Sequence, residues 1–204
     1  MIENLLIFAL ATVGLAVSPG PDNIYVMSQA MAHGTRYGLA TTAGLISGCI
    51  VHTTLLAFGV SALIATSPTI FLVIKILGAS YLLFLAYKVY QSDSAIQGES
   101  DAPKKTEWQL FKQGVIMNLI NPKVILFFLA FFPGALWNPE QDLVMQFYII
   151  GGTFMLVSLI IFSGIAFLSG FLAAQLKQKQ GVGVFFKWLQ IFVFVGIAVF
   201  ILIP

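Results

Sequence analysis

A short polar stretch interrupts the first long apolar run of this chain, which extends from Leu5 to Ala32. The stretch is Ser18-Pro19-Gly20-Pro21-Asp22-Asn23. Proline lacks the amide hydrogen of a helical residue and glycine weakens a helix interior, so a helix must break or unwind here. The freed amides at a new helix N-terminus can hold a carboxylate, and the freed carbonyls with Asp22 can hold an ammonium group.

Asp22 has two interpretations. An ionisable residue at membrane depth is a functional candidate by default, and one that titrates near neutrality can exchange protons during a transport cycle. Asp is also a common cap at the start of a helix, and a permanent ion pair would satisfy it equally well. The sequence leaves both interpretations open.

A second proline break follows about a hundred residues later, and an offset of 101 residues places Pro122 on Pro21. Freed backbone groups at this break also need partners, and Asn121, just before the proline, is placed to satisfy them. Lys123 either points inward, toward a carboxylate or Asp22, or extends to the membrane interface. The polar and helix-breaking residues here are Asn118, Asn121, Pro122 and Lys123.

The composition is that of an integral membrane protein. Of 204 residues, 59% are hydrophobic and 9% charged, with a mean hydropathy of +0.95. Residues 1–17 carry no Lys or Arg, so we expect the first helix to be retained rather than cleaved as a signal peptide. A single cysteine, Cys49, excludes an intramolecular disulfide and a cysteine metal cluster, and a net charge of +2 gives no reason to expect nucleic acid. No metal or cofactor is predicted.

We predict an all-α polytopic membrane protein with six transmembrane helices, because the apolar runs each approach the roughly 20 residues of a span. Residues 1–204 form one domain, in which a cytoplasmic linker, 91–109, separates the three-helix halves 1–90 and 110–204. Helices 1 and 4 are the broken ones. Three helices per half invert the second half relative to the first, and we expect the two breaks to face each other near the membrane midplane. The predicted helices are 4–31, 38–65, 68–90, 112–132, 143–172 and 184–202.

Positive charge near helix ends indicates orientation, because loops rich in Lys and Arg stay in the cytoplasm. The turns after helices 1, 3 and 5 hold eight of the ten positive residues. We therefore expect both termini outside. The eight are Arg36, Lys88, Lys104, Lys105, Lys112, Lys177, Lys179 and Lys187.

Three other features have structural interpretations. His52, in the middle of helix 2, is either a neutral histidine bonded to a neighbouring helix or part of a proton relay. The spacing of Gly44 and Gly48 favours close helix packing within the chain over a dimer contact. The Phe127-Phe128 and Phe131-Phe132 pairs are expected to face lipid and the core.

Four motifs in order resemble the LysE/RhtB family of amino-acid exporters. They are Ser18–Asn23, Gly44-Leu45-Ile46-Ser47-Gly48, Leu77-Gly78-Ala79-Ser80-Tyr81-Leu82 and Asn118-Leu119-Ile120-Asn121-Pro122-Lys123. The resemblance covers essentially the whole chain. It implies a multi-pass protein of the bacterial inner membrane that exports amino acids such as homoserine, threonine, leucine or lysine, driven by the proton gradient.

The resulting hypothesis is a secondary exporter of small amino acids, by proton antiport, with the bilayer, an amino acid and protons as its partners. Asp22 and His52 are the candidates for proton coupling. The alternatives are an oligomeric channel or a membrane-embedded enzyme, and a homodimer stays open. The candidate substrate-binding residues are Ser18, Gly20, Asp22, Asn23, Asn118, Asn121 and Lys123, and the helix breaks are at Pro19, Pro21 and Pro122.

Overall fold

The computed structural model describes residues 1–18, 20–60, 68–91, 105–138, 141–178 and 180–202. These residues form eight α-helices and no strand, which confirms the all-α class. A π-helical turn, Leu56–Val60, extends α3, and a 3-10 turn, Pro133–Ala135, follows α6. The helices are α1 (Ile2–Val17), α2 (Pro21–His33), α3 (Thr35–Leu55), α4 (Pro68–Gln91), α5 (Glu107–Ile120), α6 (Pro122–Phe131), α7 (Leu143–Gln178) and α8 (Gln180–Leu202).

Three continuous stretches of the described helices are long and apolar enough to cross a membrane: Thr35–Gly59, Leu72–Gln91 and Leu143–Ser169. Two bent pairs pass the same test, α1 with α2 at 59° and α5 with α6 at 53°. The apolar part of α8, Lys187–Leu202, is shorter. A polytopic membrane protein with broken first and fourth helices is therefore confirmed, whereas the sixth span stays a prediction.

Proline sets where both broken helices restart. Pro21 and Pro122 are the first residues of α2 and α6, a position where the missing amide hydrogen costs nothing because that amide has no partner within the helix. Pro19 lies outside the described residues, as does most of the predicted linker 91–109. At the end of α2, Gly34 has φ of 105°, a conformation that side chains rarely adopt, and it turns the chain into α3.

Helix α3 is the central packing element, in contact with α2, α5 and α7. Its glycines allow this packing. A Cβ on Gly44 would collide with the Phe111 carbonyl oxygen of α5, and one on Gly48 would collide with the Asn118 side chain. The Gly44 and Gly48 spacing therefore serves contact within the chain, as the sequence predicted.

A cluster of phenylalanines forms the centre of the larger apolar core. Phe8 of α1 lies 5.7 Å from Phe131 and 4.9 Å from Phe132 between ring centroids, and Phe127 and Phe128 pack on the same group. All five rings are buried. The expectation that the Phe127-Phe128 and Phe131-Phe132 pairs also face lipid is wrong, because all four rings are buried and α6 packs against α3, α4 and α8.

The outward surface of the described helices is apolar as well. Large side chains on six of the described helices are more than half exposed, a pattern that suits contact with lipid chains rather than water. Examples are Leu10, Leu55, Leu77, Phe167 and Phe192.

We expect Gly44→Ala to lower the thermal unfolding temperature of the protein in detergent micelles, because the new methyl group meets backbone that cannot move aside. Overpacking of this kind costs about 1–3 kcal/mol. Gly152→Ala is the matched control, since a Cβ there meets no atom of the described residues within 4 Å. Equal melting of the two variants would contradict this account of α3 packing.

Candidate functional site

The two helix breaks are in direct contact. The Asn121 Nδ2 group donates a hydrogen bond of 2.6 Å to Asp22 Oδ2. The Lys123 ammonium donates one of 3.0 Å to the Ser18 carbonyl oxygen. Each bond joins residues about one hundred positions apart, so the break in one half of the chain is held by polar groups of the other half.

Two asparagines satisfy the backbone at the breaks. Asn121 Oδ1 accepts a bond of 3.0 Å from the Lys123 backbone amide and so caps the start of α6. Asn23 Nδ2 donates a bond of 2.6 Å to the Ala16 carbonyl, near the end of α1. Freed backbone groups are costly away from water, so these side chains hold the breaks in place.

The Lys123 side chain points inward from the start of α6. Besides its bond to Ser18, its ammonium lies 5.7 Å from the centre of the Phe194 ring. Its Nζ also lies beside Gly20, where a Cβ would be in ordinary contact with it at 3.6 Å. The positive charge of Lys123 therefore lies beside the two helix N-termini, within the protein.

His52 is bonded to the neighbouring helix rather than to the cavity described next. Its Nε2 lies 3.3 Å from the Asn118 carbonyl oxygen, an acceptor, so this nitrogen carries the hydrogen. The imidazole also packs on Phe128, at 5.3 Å between ring centroids. This geometry matches the interpretation of His52 as a neutral histidine bonded to a neighbouring helix.

A small cavity of about 20 Å³ lies between the breaks and α7. A volume of roughly 10–15 Å³ is enough for one water molecule, so the cavity is too small for an amino acid. Its polar lining residues are Asp22, Asn118, Lys123 and Ser158, and apolar ones, including Leu15, Leu45, Val124, Phe154 and Phe162, complete it.

Three oxygen atoms of the polar lining have no hydrogen-bond partner among the described residues: Asp22 Oδ1, Asn118 Oδ1 and Ser158 Oγ. Their side chains are 7%, 4% and 1% exposed. A buried polar atom without a partner costs about 1–3 kcal/mol, a cost that a protein tolerates where function needs the group free.

The structure separates the sequence-predicted residues into two groups. Asp22, Asn118 and Lys123 line the cavity, whereas Ser18, Asn23 and Asn121 hold the breaks behind it. Ser158 was missed. It is one of several serines in an apolar helix, with no proline, glycine or charge nearby to single it out, and only the packing of α7 brings it to the site.

The residues of this site belong to a region that matches a known family. The family model of the LysE type translocator matches residues 13–203. This chain belongs to the LysE type translocator family. The resemblance carried by the proline motifs is confirmed, and the match includes both breaks and Ser158.

Several relatives of this translocator are efflux proteins. The chain is 32% identical to the homoserine/homoserine lactone efflux protein of Salmonella typhimurium, over 85% of this chain and 84% of that one. It is 31% identical to the leucine efflux protein of Klebsiella pneumoniae, over 96% and 92%, and 29% identical to an uncharacterized membrane protein of Vibrio cholerae, over 86% and 85%. The chain is therefore a membrane transporter and not an enzyme. No solved structure matches it.

We expect Asn121→Ala to lower the free energy of unfolding of the translocator by about 2–3 kcal/mol, because a buried carboxylate loses its hydrogen-bond donor. The measurement is SDS titration in mixed micelles. Asp22→Asn provides the second arm of a double-mutant cycle, in which the losses should be markedly less than additive. Additive losses of unfolding free energy would show that the bond between Asp22 and Asn121 does not contribute to stability.

Proposed function

We propose that this translocator exports small amino acids of the homoserine and leucine type across the bacterial inner membrane, in exchange for protons. The amino acid binds between the two helix breaks. The observation that carries the proposal is the convergence of both breaks on one buried cavity that holds an acidic and a basic side chain.

The charges at this cavity complement those of an amino acid. The N-termini of α2 and α6 carry partial positive charge, and the Lys123 ammonium adds a full one, so this side suits the substrate carboxylate. The Asp22 carboxylate suits the substrate ammonium. Broken helices arranged around a central site are typical of secondary transporters.

The relatives support the substrate class. One carries the name of a homoserine/homoserine lactone efflux protein and another that of a leucine efflux protein. Homoserine, its lactone and leucine share an amino group on the α-carbon and an uncharged side chain, whereas the lactone has no free carboxylate. We propose the same class for this chain, with the amino group as the shared feature that is recognised.

The cavity of the described state is too small for an amino acid, which supports alternating access with a second state in which the site is wider. An ion pair between Arg36 and Glu107 joins the start of α3 to the start of α5 on the predicted cytoplasmic side. Lys105 and the Tyr25 hydroxyl, 3.4 Å apart, form a second link there. We propose that opening toward the cytoplasm separates these pairs and widens the cavity to admit substrate.

Asp22 is the proposed proton carrier. Its Oδ1 faces no donor among the described residues, so it is available to a proton or to the substrate in turn. Competition for one carboxylate is a simple way to couple the two fluxes. His52 is the second candidate, and its bond to the Asn118 carbonyl supports a positioning role instead.

We expect Asp22→Asn to reduce the gradient-driven efflux of preloaded radiolabelled leucine and homoserine from proteoliposomes by at least tenfold, because the amide cannot exchange a proton. Asp142→Asn is the control, an exposed carboxylate at the start of α7. His52→Gln should retain gradient dependence. Full efflux by Asp22→Asn would reject the coupling role, and flux that does not saturate would favour a channel.

The charge distribution predicts the orientation of the chain in the inner membrane. Alkaline phosphatase, which is active outside the cytoplasm, should be active when fused after Pro204 and inactive when fused within 91–109. Activity from the linker fusion would show that the linker is outside and reverse the proposed orientation.

A further inference from the structure

We propose that Asp22 Oδ1, Asn118 Oδ1 and Ser158 Oγ together form a binding subsite for the α-ammonium group of the substrate. This inference rests on the proposed function and names which part of the amino acid each helix holds. Ser158 becomes a substrate-binding residue of α7, although no motif in the sequence marked it.

The three atoms are unusual among the buried polar groups of the site. At the breaks, Asn121 Oδ1 and Asn23 Nδ2 have protein partners, and Ser18 Oγ, which has none among the described residues, does not line the cavity. The three oxygens have none among the described residues, yet their residues line the same cavity and are more than nine-tenths buried. They are therefore placed for a partner that is not part of the chain.

The chemistry of the three oxygens selects that partner. A carboxylate and an amide carbonyl only accept hydrogen bonds, and a hydroxyl can accept one as well. A primary ammonium group has three N–H donors, one for each oxygen, and its charge complements that of Asp22. The cavity volume of about 20 Å³ suits such a group, which is close to a water molecule in size.

The Lys123 ammonium does not fill this role, because its hydrogen bond is to the Ser18 carbonyl and none of the three oxygens has a hydrogen-bond partner among the described residues. Its position leaves Asp22 Oδ1 free and places a positive charge where the substrate carboxylate would lie. The remaining lining, which includes Phe154 and Phe162, is apolar and suits an uncharged substrate side chain. Amino acids with apolar or small polar side chains therefore fit better than lysine.

The test measures binding to the purified full-length protein in detergent by isothermal calorimetry. The ligands are leucine, homoserine lactone and 2-hydroxyisocaproate, which has a hydroxyl in place of the amino group of leucine. The variants are wild type, Ser158→Ala and Ser169→Ala. Ser169 is a buried serine of the same helix that does not line the cavity, so it is a matched control.

Wild type should bind leucine and the lactone more tightly than the hydroxy acid. Ser158→Ala should weaken the binding of leucine and of the lactone alike by about tenfold, which is the effect of one hydrogen bond to a charged group. The affinity for the hydroxy acid should change little. Ser169→Ala should bind like wild type. The melting temperature of ligand-free Ser158→Ala should not fall, because its hydroxyl has no partner to lose among the described residues.

Three results would overturn the assignment while leaving the proposed function intact. The first is an unchanged leucine affinity in Ser158→Ala, and the second is a loss of affinity for the hydroxy acid equal to that for leucine. The third is a leucine affinity that rises with sodium in wild type but not in Ser158→Ala, because this would place a metal cation at the three oxygens. Failure of wild type to bind both leucine and the lactone would overturn the proposed function together with the subsite.

Discussion

The architecture of this protein depends on one constraint, the need to satisfy backbone polar groups where a helix breaks inside an apolar surrounding. Each unsatisfied group costs several kcal/mol there. The two breaks meet this need together: Lys123 donates to the carbonyl of Ser18, and Asn121 links α6 to Asp22. A break in one half therefore requires the other half, which explains how a short chain holds two such breaks side by side.

Close packing of small residues makes this meeting possible. Gly44 and Gly114 let α3 and α5 approach until backbone meets backbone, and Gly48 leaves room for the side chain of Asn118. The glycines thereby fix the distance from α3 to the second break. Gly151 of α7 packs closely against Thr53 of α3 and lets these two helices approach each other. This approach places Ser158 of α7 at the cavity.

The polar groups of the site divide into those that support and those that remain free. The side chains of Asn23 and Asn121 form hydrogen bonds with backbone groups at the breaks, and these bonds hold the geometry of the breaks. Asp22, Asn118 and Ser158 each keep an oxygen without a partner among the described residues. Neighbouring residues that are themselves fixed hold a binding side chain in position and leave its free oxygen available to a ligand.

The sequence by itself determined the membrane class, the helical fold and the positions of the breaks at Pro21 and Pro122, because composition and proline chemistry act locally. It also determined the family, through motifs around those breaks. The tertiary structure decided which polar residues meet. It turned Lys123 inward, bonded His52 to the backbone at Asn118, and brought Ser158 to the cavity, since these depend on how helices distant in sequence pack, and no local pattern encodes that packing.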